Sequence, residues 1–208
     1  VNEFYRSFYR SLAQPLTGWA RLALLALLVP LALSLTQPLW SIRMVAPQYP
    51  NGLELDIYAH TVTGDIREIN TLNHYIGMEA IDRTQLSDLD WIPFGIGVLA
   101  LLTLRVAVIG TVRILIDLAV INLYFGAFSL GRFVYKLYSY GHNLDPKAPF
   151  DVEPFTPAII GTKQIANFTT TAMPGVATIL IGVFATGLVV LTVWQLALCM
   201  RAREAGAQ

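Results

Sequence analysis

Three histidines carry most of the chemical potential of this 208-residue sequence: His60, His74 and His142. His74 stands in INTLNHYIGM, with Met78 four residues on. If that stretch is helical, imidazole and thioether share one face. A nitrogen–sulfur pair of this kind is a soft ligand set, and methionine selects copper(I) over zinc or magnesium. His60, at the end of LELDIYAH, would complete a trigonal site of two histidines and one methionine. His142, in YSYGHNLDP, can join from a distant segment with Asp145 orienting it, while Met44 and Met173 are looser candidates. The competing reading is bland: scattered histidines satisfied by hydrogen bonds, and a methionine that fills a core. Zinc would ask for three or four Cys, His or carboxylate ligands, and no HExxH-like spacing occurs.

A second feature lies inside apolar runs. Arg105 sits in LALLTLRVAVIG, and Asp117 follows a few residues into the next run. An arginine near the bilayer centre costs about 2.5–3.5 kcal/mol on insertion scales, so it should face protein or water. With a helical hairpin turning near residue 111, each of the two lies six positions from the turn, or about 9 Å deep at 1.5 Å per residue. The spacing predicts an Arg105–Asp117 pair at matching depth. Such a pair would clamp helices or subunits together; a proton or ion relay is the functional alternative, and no Glu, His or Lys in the spans extends it.

Other chemistries lack residues. There is no Gly-rich phosphate loop, no serine with a base in its own segment and no CxxCH haem attachment, and no histidine lies within an apolar run to hold a buried haem. A single cysteine, Cys199, allows neither an intrachain disulfide nor a Cys-rich metal site. Fourteen Lys and Arg balance fourteen Asp and Glu, which leaves no basic surface for nucleic acid. No catalytic activity of its own is expected.

The elements that must position these residues are membrane helices. Hydrophobic residues make up 55% of the chain and charged ones 13%, about half the charge of an average soluble domain. A helical span needs about 20 apolar residues, and four stretches qualify, at about 19–36, 92–110, 113–131 and 175–198. The first reads as a retained anchor rather than a cleaved signal, because the run is long and no small-x-small site follows it. Arg21, at its start, can snorkel to headgroups. Trp19, Trp40, Trp91 and Trp194 fall near span ends, as an interfacial belt would place them. Arg6, Arg10, Arg21, Arg113, Arg201 and Arg203 flank one side of the spans, which puts both termini in the cytoplasm of a bacterial inner membrane.

Two segments, 37–91 and 132–174, then lie outside the cytoplasm. They read as ordered loops on a single all-α membrane domain. Within the first, Leu53, Leu55 and Ile57 alternate with Glu54, Asp56 and Tyr58, a period of two that predicts a short strand unit. Asn51–Gly52 reads as the turn before it. The second holds Pro146, Pro149, Pro154 and Pro157 and the polar stretch Thr169–Thr171.

Three pieces, YPNGLELDIYAHTVTGDIREINTLNHYIGM, WIPFGIGVLALLTLR and LYSYGHNLDPKAPFDVEPFTPAIIGTKQIANFTTTAMPG, resemble a little-characterised group of bacterial four-span membrane proteins. Those proteins are associated with copper-dependent respiratory systems, in nitrous-oxide-reductase maturation and oxidase assembly. The resemblance covers roughly residues 38–190. It implies copper handling at the outer face, or an accessory role beside an electron-transfer enzyme, with other integral membrane subunits and a periplasmic copper or electron-transfer protein as partners. The positions that match the group's pattern are His60, His74 and Met78. The alternative is a scaffold subunit of a respiratory or photosynthetic supercomplex without its own metal, binding lipid, pigment or quinone between helices. The aromatic run Phe125, Phe128, Phe133, Tyr135, Tyr138 and Tyr140 would then be a docking face, or simply the third span continuing into the interface.

Overall fold

The computed structural model describes residue 9 and residues 12–82, 89–150, 152–165 and 167–205; Arg6 and Arg10 lie outside them. Five α-helices are described, α1 (Gly18–Leu33), α2 (Ile66–Tyr75), α3 (Trp91–Ile109), α4 (Val112–His142) and α5 (Val176–Ala205). Five strands accompany them, β1 (Trp40–Ala46), β2 (Tyr49–Ile57), β3 (Val62–Gly64), β4 (Gly161–Ile165) and β5 (Phe168–Pro174). The chain divides into two compact units, one of residues 1–33, 94–126 and 180–208, the other of residues 34–93 and 127–179.

The first unit is helical. Among the described residues four helices are long and apolar enough to cross a membrane, at Gly18–Thr36, Trp91–Ile109, Val112–His142 and Val176–Ala202, so this is a multi-pass membrane protein by length and composition. Leu24, Ile96, Leu115, Phe184 and Leu188 are fully buried in its interior. Its buried hydroxyls need no outside partner: Thr103 donates to the Leu99 carbonyl and Thr192 to that of Leu188, both at 2.7 Å. In lipid this matters, because no water is present to satisfy a polar group. Gln195 donates through Nε2 to Thr17 Oγ1 at 2.8 Å. Arg21, at the start of α1, donates through one guanidinium N–H to the Val108 carbonyl at 3.0 Å, satisfying an acceptor in the last turn of α3.

Backbone bonds show which chain points share an end of this unit. The Leu16 amide donates to Gly110 O and the Val112 amide to Gln14 O, and Cys199 Sγ lies 3.5 Å from Gln14 Oε1. The segment before α1, the α3–α4 turn and the far part of α5 therefore meet, as four crossings require.

The second unit overturns the all-α expectation. The two intervening segments are not separate loops; they build one five-stranded antiparallel sheet in the order β3-β2-β1-β5-β4. Its centre is the β1–β5 ladder, running from Trp40 opposite Pro174 to Val45 opposite Thr169. This pairing joins residues more than 120 positions apart, which is why no local pattern reveals it. The strand unit expected around Leu53–Ile57 exists and is longer, with Leu53 and Leu55 each 5% exposed. Asn51–Gly52 is not the hairpin turn: both lie inside β2, opposite a register shift between Met44 and Ala46, and the chain turns at Pro47–Gln48.

One sheet face is covered. Trp40 and Ala172 are buried there with Ala158, and Phe133 of α4 packs on Trp40 with ring centroids 4.7 Å apart. Trp40 Nε1 donates to Ile159 O at 3.0 Å, so its indole is satisfied as well as buried. On the neighbouring strands Leu53, Leu55 and Val62 meet Ile69 of α2. The third apolar helix runs well past the expected end at 131. Thirty-one residues rise about 46 Å, more than the roughly 30 Å hydrocarbon core, and its last turns carry Phe133 to the sheet. The aromatic run is thus carried by the continuing helix, with Phe133 packed on Trp40 and Phe128 edge-on to Trp91, ring centroids 5.1 Å apart.

Candidate functional site

The site is built around the end of α2. The helix stops at Tyr75, and Ile76 caps it. Gly77, at φ +77, then turns the chain back. The Met78 amide donates to Asn73 O at 2.9 Å and the Gly77 amide to His74 O at 3.4 Å, the paired closing bonds of a Schellman motif. His74 and Met78 therefore do not share a helical face, because Met78 lies beyond the helix. The return loop still brings both to one place: a cleft of about 430 Å³ whose walls include His74, Met78, Glu79, Asn143, Asp145 and Lys147.

The second wall comes from the segment after α4, and backbone bonds hold the two walls together. Asp145 N donates to Gly77 O at 2.8 Å and Phe150 N to Tyr75 O at 3.0 Å. The Phe150 and Tyr75 rings lie 6.0 Å apart. Asp145 Oδ1 accepts the Lys147 amide at 2.9 Å, which fixes the carboxylate at the rim. Glu79 and Asp145 against Lys147 give the cleft a formal charge of −1 with His74 neutral.

The sequence-derived set divides on this geometry. His74 is exposed and Met78 half-buried, and both line the cleft. Met78 also packs against the cluster of Ala46, Ile76 and Phe168, so it fills a core as well. Asp145, expected as an orienting carboxylate, is present. His142 is the residue before Asn143, but its Nδ1 bonds to Tyr138 O at 2.9 Å and its ring stacks on Tyr138 at 3.7 Å. His60 is not among the lining residues; it sits in the β2–β3 turn with its ring 6.5 Å from that of Tyr58. Met44 packs under the sheet with the Leu53 cluster, and Met173 is 52% exposed on β5. Of His60, His74 and Met78, His74 and Met78 line this cleft, beside Glu79 and Asp145.

Glu79 and Lys147 escaped the sequence reading, since neither has a spacing that speaks for it. Among the described residues no group of three or more His, Cys, Asp and Glu is arranged to hold a metal ion. Arg105 and Asp117 are both exposed on their helices and form no ion pair with each other. Compared with known proteins, the chain matches no family model and no curated protein.

Proposed function

We propose that this chain is a non-catalytic accessory or maturation protein of a copper-dependent or respiratory electron-transfer system, with Cu(I) held between His74 and Met78. One observation carries the reading: the imidazole and the thioether, four residues apart and beyond one helical face, still line the same cleft. Both are soft-leaning donors, and Cu(I) accepts low coordination by such ligands. A two-donor, partly open site suits a protein that must release its metal. Asp145 and Glu79 add negative charge that favours a cation there.

The same reading places the protein in a bacterial inner membrane with both termini in the cytoplasm. Arg21 and Arg113 lie by the α3–α4 turn, at the end where the segment before α1 and the far part of α5 also meet, and basic residues mark the cytoplasmic side. The cleft then faces outward, toward a periplasmic copper or electron-transfer partner.

Anaerobic Cu(I) titration of the metal-stripped protein, with X-ray absorption, tests this. One tight equivalent with nitrogen and sulfur scatterers is expected, weakened beyond about 100-fold in His74→Ala and in Met78→Ala, since even second-layer changes cost 10–100-fold. His60→Ala should bind as wild type does. Binding that ignores His74 and Met78, or no binding, removes the copper role and leaves a helical scaffold subunit.

A further inference from the structure

We infer that the chain pairs with a second copy of itself in the membrane, Arg105 of each copy meeting Asp117 of the other. On α3 the buried residues Ile96, Leu99, Thr103, Val106 and Ala107 form one stripe, and Arg105 points from the opposite side of the helix. Leu101 and Val108, about a turn away on that outer side, are 67% and 68% exposed. On α4 the buried stripe is Val112, Leu115, Leu118, Ala119 and Asn122. Asp117 again lies opposite it, with Ile121 and Tyr124 exposed beside it. Both charged side chains are thus turned outward, and neither has a hydrogen bond or ion pair among the described residues. Arg113, one turn before Asp117 and exposed on the same side, is not paired with it either.

An outward charge in a span is costly unless something covers it. A long arginine stem can carry its guanidinium toward the headgroups; an aspartate has no such reach, so Asp117 requires a cationic neighbour. The α3–α4 turn at Gly110–Thr111 leaves residues 105 and 117 each six positions from Thr111, about 9 Å along the helix axis. A twofold axis along the membrane normal keeps every residue at its own depth. Arg105 of one copy and Asp117 of the other are then level, and the symmetry supplies the pair twice. A foreign subunit would have to bring its own acid and base to that same level.

The test is association of donor- and acceptor-labelled full-length protein in lipid bilayers, followed by energy transfer on dilution with lipid. Wild type should self-associate. Arg105→Asp and Asp117→Arg should each weaken self-association by about a hundredfold or more, as breaking a desolvated charge pair does. Mixing the two single variants should restore pairing between unlike copies, because every contact again joins opposite charges. That rescue also shows both variants to be folded and inserted. A pair within one copy, or an Asp117–Arg113 pair, predicts no rescue on mixing. Absence of rescue, a wild type that stays monomeric, or association indifferent to either substitution would each overturn the inference.

Discussion

Thr170 places a hydroxyl on the covered face of β5, where it is 3% exposed and has no hydrogen-bond partner among the described residues. An unsatisfied buried donor costs about 1–3 kcal/mol. Thr170→Val keeps the shape and the strand preference and removes that cost, so it should raise stability by about 1 kcal/mol. Denaturant unfolding in detergent, followed by tryptophan fluorescence, would detect the change; a loss of stability would mean that the hydroxyl does have a partner. Gly77 acts in the other direction. Its φ of +77 is a conformation that costs an L-residue about 1–2 kcal/mol, and an added Cβ would lie 2.8 Å from Asp145 O. Gly77→Ala should therefore part the cleft walls and weaken Cu(I) binding with His74 and Met78 still present. Unchanged affinity would show that the return turn does not set the site. At this scale the sequence picked out two residues that line one cleft, His74 and Met78, because His–x3–Met is local. The shared helical face, conditional on a helix through Met78, does not form, because Gly77 turns the chain after Tyr75.

Elements show a different limit. Phe168, Thr170 and Ala172 alternate buried with Thr169 and Thr171 half-buried, a period of two built from β-branched residues, which strands favour. Read as a polar stretch it looks like loop; read by period it is a strand, and that signal was present. The length of α4 was harder to see, since Phe133, Tyr135 and Tyr138 suit either an interfacial helix or an irregular segment. Its last turn is fixed by a close approach: Phe155 N donates to Gly141 O at 2.9 Å, and a Cβ on Gly141 would overlap the Phe155 carbonyl. Gly141→Ala should push the 152–157 segment away from the helix and cost about 2 kcal/mol or more. Hydrogen exchange reads this directly as lost protection of the Phe155 amide, with α1 and α3 unaffected; retained protection would show that the contact can yield.

Over the whole molecule, four apolar helices and one sheet woven from two distant segments lead to a topology that can be checked. After Cys199→Ala, a cysteine at Thr63 or Lys163 should react with a membrane-impermeant maleimide from the periplasmic side, and one at Arg113 only after permeabilisation. The reverse pattern would invert the orientation and put the cleft in the cytoplasm. The sheet unit and the four crossings support each other. β1 follows α1 and β5 precedes α5, so the ladder between them requires both segments on one side, as an even number of crossings does. The apolar runs by themselves determined that four helices are long and apolar enough to cross a membrane, because transfer of a 20-residue apolar run into lipid depends on the run alone. Alternation likewise determined that Leu53–Ile57 is strand, because its period is read from consecutive residues. Only the tertiary structure decided that the strand belongs to a five-stranded sheet, that His74 and Met78 share a cleft without His60, and that Arg105 and Asp117 face outward. Each of those depends on contacts between segments far apart in the chain, and their register is chosen by which faces can be buried together.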